Sequence, residues 1–134
     1  MQTFLPLPSI GMSIRCLDNK RLGKQRVEAL QILKALRGEY KNGAWVNHPA
    51  TKMWRGHEDA LNFYKDLCIE EWIRRGFKNT MDHSRIHIVK LPPWIGKDEF
   101  HASHRSNLLR KDAAHYSQFN WGEPDDLPYV WPIS

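Results

Sequence analysis

Apolar residues recur at the spacing of an amphipathic helix in the stretch that follows Leu17. Asp18 is a favourable N-cap and Gly38 a favourable stop, so the pattern predicts a first helix from Asp18 to about Arg37. Most of the basic side chains lie off the apolar stripe and are expected to face outward. The stripe is formed by Leu22, Ala29, Leu30, Leu33 and Leu36.

A second helix is predicted after a segment that contains two Gly and one Pro. Asn47 or His48 can cap it, Pro49 suits its first turn, and basic residues before Gly76 mark its end near Arg75. We expect its apolar stripe to pack in the core, together with the His and the Cys that it contains. The stripe comprises Met53, His57, Ala60, Leu61, Tyr64, Leu67, Cys68 and Trp72.

The other segments are predicted to be irregular, except for a third helical region. Residues 1–13 carry two Pro and one Gly and indicate an extended arm. Residues 77–97 have the pattern of a loop, although a short strand is allowed within 85–94. The helical pattern returns over 98–118, with a break near Asp112.

Together these elements predict a compact, single all-α domain of three main helices over all 134 residues, with long irregular connections. The Pro-rich tail 120–134 should wrap the surface, anchored by Tyr129 and Trp131. No run of 18 apolar residues is present, so we expect no membrane contact. The start of the chain lacks a signal-peptide pattern, and Cys16 and Cys68 form no CxxC pair. We therefore expect reduced thiols in a cytoplasmic protein.

The net charge of the chain indicates a class of binding partner. The net charge of +5 and the pI of about 9.4 favour a polyanion. The segment from Arg15 to Arg37 carries seven Lys and Arg against two acids, Asp18 and Glu28. A basic helix is also typical of an ordinary solvated face, so charge alone leaves both interpretations open.

The third helical region is also rich in polar side chains. Hydroxyl, amide and guanidinium groups are the types that contact a nucleic-acid backbone, but an ordinary polar helix face explains them equally well. The candidates are Ser103, His104, Arg105, Ser106, Asn107, Arg110 and Lys111.

Other chemistry is less well supported. The pairs His83/His87 and His101/His104 have spacings that suit a metal, but no HExxH or paired CxxC accompanies them, and we predict no metal site. The chain also lacks the GxSxG, GxGxxG and GxxxxGK[ST] motifs of nucleophilic serines and nucleotide cradles.

Glu28 is the one acid inside the basic first helix. It lies four residues after Lys24 and seven after Arg21, so the three side chains share a face. The ordinary interpretation is an ion pair with Lys24 that stabilises the helix slightly. Spacing alone favours that interpretation.

Four motifs follow one another along the chain: LDNKRLGKQRVEALQIL at 17–33, NHPA at 47–50, RRGF at 74–77 and HASHRSNLLRKDAAHY at 101–116. In order and spacing they resemble the pyrimidine-dimer DNA glycosylases, a family that includes a phage enzyme historically called endonuclease V. The resemblance implies a compact all-α fold. It also implies a cofactor-free DNA glycosylase with an associated abasic-site lyase activity.

In that family the nucleophile is the N-terminal α-amine and a glutamate of the first helix is the acid/base. The resemblance places these roles at Met1 and Glu28. An α-amine is far less basic than a lysine and can attack the sugar C1′, release the base and form an imine, after which β-elimination cuts the strand. The residues expected to contact DNA or to line the site are Arg21, Lys24, Gln25, Arg26, His48, Ser103, His104, Arg105, Arg110 and Lys111.

The chain also departs from the family pattern. Gln2 replaces a small residue, so the amine is expected to be that of a retained Met1. The lead to Glu28 is longer than in bacterial relatives. Positions that hold an acid and a His in the phage enzyme are Gln25 and Arg21 here, which leaves the target base open.

We therefore predict a monomeric DNA glycosylase that acts on double-stranded DNA and is associated with the nucleoid when bound. One alternative is a protein of the same fold that acts on modified bases or nucleotides by different chemistry. The others are a non-enzymatic DNA-binding module and a metal-dependent nuclease.

Overall fold

The computed structural model describes residues 1–86 and 89–133. In these ranges the protein consists of α-helices and loops without β-strands, which confirms the predicted all-α class. Two short 3₁₀ turns, Lys41–Gly43 and Ser117–Phe119, lie in the connections. The α-helices are α1 (Ile10–Cys16), α2 (Asn19–Leu36), α3 (Pro49–Trp54), α4 (Glu58–Arg74), α5 (Asp98–Lys111) and α6 (Ala113–Tyr116).

Helix α2 has the bounds that its cap and stop residues predict. The Asp18 carboxylate accepts a hydrogen bond from the backbone N–H of Arg21 at 3.4 Å. Gly38 follows the helix with φ of +73°, a left-handed conformation that suits a residue without a Cβ. The helix packs mainly on α4, and its buried side chains include Leu22, Ala29 and Leu33.

The predicted second helix is in fact two helices, α3 and α4. Its start is as predicted, because the His48 Nδ1 accepts a hydrogen bond from the Ala50 backbone N–H at 3.0 Å. The prediction of one continuous helix is wrong, because Gly56 takes a φ of +84° and turns the chain between the two. His57 consequently lies at the half-exposed start of α4 and not in the core, whereas Cys68 is fully buried as predicted.

The N-terminal arm is extended only over its first part. Helix α1 begins at Ile10, where the Ser9 hydroxyl accepts a hydrogen bond from the Met12 backbone N–H at 3.2 Å, so the prediction of an arm to residue 13 is wrong. Residues 2–6 are all buried. The Trp54 indole N–H donates to the Thr3 hydroxyl at 2.9 Å, so the arm is part of the core.

The C-terminal third follows the predicted pattern. Asp112, with φ of −154° and ψ of 74°, separates α5 from α6, and its carboxylate accepts a hydrogen bond from the His115 backbone N–H at 3.2 Å. Tyr129 and Trp131 pack half-buried against the core and anchor the tail.

The connection between α4 and α5 is a loop in its described residues. The short strand that the pattern allows within 85–94 includes His87 and Ile88, which lie outside the described residues, and the remainder of that segment is not a strand. Among the described residues, no helix is both long enough and apolar enough to cross a bilayer.

Two buried histidines of α5 bind the backbone N–H and the carbonyl of Leu5, an arrangement that we call the histidine clamp. The Leu5 N–H donates to Nδ1 of His104 at 2.8 Å, and Nδ1 of His101 donates to the Leu5 carbonyl at 2.7 Å. Nε2 of His101 accepts a hydrogen bond from the Gly96 N–H at 2.8 Å. Because each ring thus uses one nitrogen as an acceptor, both act as neutral imidazoles. Burial, with His101 nearby, lowers the pKa of His104 to about 3.

The histidine clamp predicts a loss of stability in acid. An unfolded His binds a proton near pH 6.5 whereas folded His104 does not until about pH 3, so stability falls as the pH falls through that window. Between pH 7 and pH 5, His104 should therefore lower the free energy of unfolding by about 2 kcal/mol. In His104→Asn the amide oxygen can accept the Leu5 N–H bond without titrating. Urea unfolding at both pH values should show a drop in stability that is smaller in the variant by about that amount, and equal drops would contradict the prediction.

Candidate active site

Helix α2, the arm and the tail surround one cleft of about 350 Å³, which we call the α2 cleft. The helix contributes one row of side chains, because residues three and four apart share a face. The buried arm brings the start of the chain to that face, and the ends of α5 and of the tail close the rim. The lining residues are Met1, Gln2, Phe4, Lys20, Arg21, Lys24, Gln25, Glu28, Lys111, Tyr129 and Trp131.

The α2 cleft is basic. Among the described residues that line it, Glu28 is the only acidic side chain, whereas four are cations: Lys20, Arg21, Lys24 and Lys111. The Arg21 guanidinium is partly neutralised by Asp18 at 3.3 Å, whereas Lys20, Lys24 and Lys111 are exposed. This charge distribution suits a phosphate backbone at the rim of the cleft, with one carboxylate inside.

The environment of Glu28 raises the pKa of its carboxyl group. Partial burial raises the pKa of its carboxyl group above the ordinary value. The charges of the Met1 amine and of Lys24, the Gln2 backbone N–H and the Gln25 side chain oppose that rise without cancelling it. Because the raised pKa lies closer to neutrality, a larger fraction of Glu28 is protonated near pH 7 than of an exposed glutamate, and its ionised form is a stronger base.

Gln25 connects the carboxylate to the arm. Its Nε2 donates to the Glu28 carboxylate at 2.8 Å, while its Oε1 accepts hydrogen bonds from the Phe4 backbone N–H at 2.9 Å and the Tyr64 hydroxyl at 2.7 Å. Gln25 itself is buried. One side-chain amide thus holds both the arm, at Phe4, and the carboxylate of Glu28.

The two residues that the family resemblance marks as reactive groups line the same cleft. Met1 and Glu28 both line the α2 cleft, and the charge of the amine lowers the pKa of the carboxyl. His48 also lies near the amine: burial lowers its pKa first, and the charge of the amine lowers it further. Its Nδ1 caps α3, so only the opposite side of the ring is free to face other groups.

The predicted DNA contacts at Ser103 and His104 are wrong. Both side chains are buried, and both hold other parts of the chain. The Ser103 hydroxyl donates to the Phe100 carbonyl at 2.7 Å and accepts from the Val130 backbone N–H at 3.2 Å, which ties the tail to α5. His104 belongs to the histidine clamp and cannot reach a phosphate.

Two arginines that we expected to bind DNA are already paired. The largely buried guanidinium of Arg105 contacts the carboxylates of Glu123 at 2.6 Å and Asp98 at 3.1 Å, and it donates to the Pro6 carbonyl at 2.9 Å. Arg26 lies outside the cleft. Its guanidinium stacks 4.4 Å from the centre of a Trp72 ring and donates to the Asn79 side chain at 2.9 Å. Both contribute to the fold, and the structure does not place either in the cleft.

The remaining candidates divide between the cleft and its surroundings. Arg21, Lys24, Gln25 and Lys111 line the cleft. Arg110 is exposed outside the cleft and donates a hydrogen bond to Asn107. Burial raises the pKa of Tyr129, and the charge of Arg110 opposes that rise.

Sequence reasoning missed several lining residues. Gln2 and Phe4 come from the arm, and Tyr129 and Trp131 from the tail, where they were assigned only as anchors. No local pattern brings the two ends of the chain together. Lys20 was detectable, because it precedes Arg21 at the start of a basic helix face.

The histidine pairs do not form a metal site among the described residues, where no group of three or more His, Cys, Asp or Glu side chains is placed to hold an ion. His83 pairs with Glu70 at 2.8 Å, and His87 lies outside the described residues. The pair on α5 is used by the histidine clamp.

The exposed lysines around the α2 cleft form a basic surface that suits a polyanion such as nucleic acid. The family model for pyrimidine dimer DNA glycosylases matches residues 1–85, nearly two thirds of the chain. The chain therefore belongs to the pyrimidine dimer DNA glycosylase family, as the sequence motifs predicted. Membership supports DNA glycosylase function and DNA as the substrate. Neither the comparison with curated proteins nor the comparison with solved structures gave a match.

The contact between Gln25 and Glu28 predicts a measurable shift. Glu28 should titrate above the ordinary glutamate value, and Gln25→Leu should raise its pKa further, because the lost donor favours the ionised carboxylate. NMR of carboxyl-labelled protein across pH 3 to 8 measures both. Gln118→Leu, on the exposed side of a 3₁₀ turn, is the matched control. A Glu28 that titrates at or below the ordinary value would contradict the prediction.

Proposed function

We propose that the protein excises a damaged or modified base from double-stranded DNA and then cuts the strand at the abasic site, using the Met1 α-amine as nucleophile and Glu28 as acid/base. The observation that carries the proposal is that Met1 and Glu28 line one basic cleft although 27 positions separate them in the chain. Family membership supports the glycosylase step.

The chemistry follows from the two groups. The neutral amine attacks C1′ of the sugar, the C1′–N bond breaks, and the base leaves with the bonding electrons and a proton. Opening of the sugar ring gives an imine between the amine nitrogen and C1′. The imine makes a C2′ proton acidic; its removal expels the 3′ phosphate, and water then releases the protein.

Glu28 is suited to the proton transfers of this sequence. In its protonated form it can donate to the ring oxygen as the sugar opens, and in its ionised form it can accept the C2′ proton and stabilise the cationic imine. The raised pKa of the carboxyl makes both forms accessible nearer to neutrality. Gln25 holds the carboxylate in place, so we assign Gln25 a positioning role and not the DNA contact predicted from the sequence.

The rim lysines supply the other requirement, which is a hold on the DNA backbone. Lys20, Lys24 and Lys111 are exposed around the cleft and can contact phosphates on either side of the target. A base inside a duplex must be displaced before C1′ can be attacked, and these contacts can support that distortion.

Covalent trapping tests the mechanism. Borohydride should reduce the imine that the protein forms with an abasic-site duplex, and intact mass spectrometry should place the adduct on Met1. Glu28→Gln should lower the trapping rate by roughly 10²- to 10⁴-fold, the range of an acid/base group, with little loss of DNA binding.

A matched pair of modifications separates nucleophile from structure. Transamination of the N-terminal residue converts the α-amine into a carbonyl without added bulk and should abolish trapping, whereas guanidination of the lysines, which spares the α-amine and keeps the positive charges that contact DNA, should not. Trapping that survives transamination, or its absence in the unmodified protein, would sink the proposed mechanism. DNA binding without any turnover would favour the non-enzymatic alternative.

The rim lysines predict the salt dependence of binding. Each phosphate contact contributes about 0.9 to the slope of log K against log salt. Lys20→Ala and Lys111→Ala should therefore each reduce the slope by about 0.9 on a duplex with a stable abasic analogue. Lys78→Ala, exposed in the loop after α4, is the control and should leave the slope unchanged. Unchanged slopes in both rim variants would place the DNA elsewhere.

A further inference from the structure

Trp45 is held in an unusual position on the surface. Its side chain is 52% exposed, which is costly for a large apolar ring, and its backbone φ is +69°. A bulky residue rarely adopts the left-handed region, and such strain persists only where neighbouring structure imposes it. Here the Trp45 carbonyl accepts a hydrogen bond from the His48 N–H at 3.1 Å, and the N–H of Val46 is bonded to the Gly43 carbonyl at 3.2 Å.

The Trp45 ring begins a series of aromatic contacts that ends in the α2 cleft, which we call the aromatic strip. Its ring centre lies 6.1 Å from that of His48, which lies 6.2 Å from Trp131, which lies 5.6 Å from Tyr129. Trp131 and Tyr129 line the cleft beside Met1. The strip therefore leads directly from the amine to an exposed ring outside the cleft.

A cation lies beside the outer end of the strip. Arg55 donates from its guanidinium to the carbonyl of Val46, the neighbour of Trp45, at 3.1 Å, and the Arg55 side chain is exposed. Exposed aromatic rings beside cations form the surface that binds unstacked nucleobases, because a base stacks on the ring while the cation attracts the adjacent phosphate. An apolar protein partner would not need the basic rim or the continuity with the cleft.

We propose that Trp45 is a stacking residue for a nucleobase that leaves the duplex when the target sugar enters the α2 cleft. The inference rests on the proposed function, because it takes the cleft to be the place where C1′ is attacked. The ring offers the displaced base a partner that replaces the neighbours it loses in the duplex. Any of the four bases can stack on it, so the contact adds affinity without reading sequence.

The test uses a duplex with a stable tetrahydrofuran abasic analogue opposite 2-aminopurine, whose fluorescence is quenched by stacking. Trp45→Ala should raise Kd by roughly 5- to 150-fold, the effect of one lost base stack, and should leave the 2-aminopurine bright in the complex. Trp45→Phe should keep most of the affinity and of the quenching. Met12→Ala, which removes a 58% exposed side chain from α1, is the matched control and should behave as the wild type.

Trapping separates the two proposals. Trp45→Ala should still form the borohydride adduct with single-stranded abasic DNA, where no base has to leave a duplex. Wild-type affinity and quenching in Trp45→Ala would overturn the stacking role and leave the imine mechanism intact. Loss of affinity in Trp45→Ala, with no adduct from the wild type on either substrate, would overturn the imine mechanism and leave Trp45 as a DNA contact.

Discussion

The site depends on the burial of the N-terminal segment of the chain, which has no secondary structure of its own. A chain terminus is normally frayed, because few contacts offset the entropy of fixing it. Here the backbone N–H and the carbonyl of Leu5 are both hydrogen-bonded to imidazoles of α5, and Trp54 and Tyr64 bond to neighbouring arm residues. A buried backbone N–H or carbonyl left unpaired would cost roughly 1–3 kcal/mol, so these bonds favour this position of the arm.

Burial of the arm and the chemistry of the cleft are connected through Gln25. The same amide that satisfies the Phe4 N–H also orients the Glu28 carboxylate. A shift of the arm would therefore move the amine and release the carboxylate together. Partial burial of Glu28 raises its pKa, and the charge of the amine moderates the rise, so the acidity of the site also depends on where the arm lies.

Much of the fold could be predicted from local patterns. Helix α2 was predicted because Asp18, Gly38 and an apolar stripe all indicate the same bounds, and the predicted break near Asp112 is also present. The turn between α3 and α4 was not, because a glycine inside a helical pattern does not reveal that it will adopt a left-handed φ. The beginning of α1 was hidden by two prolines that suggested a longer arm.

The candidate site shows a different limit of sequence reasoning. The basic face of α2 was accessible from spacing, whereas Glu28 was singled out only by the family resemblance. Ser103, His104 and Arg105 were misassigned because the donors that bind phosphates are also the donors and acceptors that hold buried backbone. Their partners lie on the arm, about a hundred positions earlier, or on the tail, and no periodicity within α5 identifies such pairs.

The histidine clamp has a consequence for how the protein is made. The family match ends at residue 85, yet the residues that fix the arm, His101 and His104, come later in the chain. Because translation proceeds from the N-terminus, the amine leaves the ribosome first, whereas α5, which binds the arm, leaves it late in synthesis. A growing chain therefore carries the proposed nucleophile unplaced until α5 has emerged and docked, and the cleft is assembled only in the finished molecule.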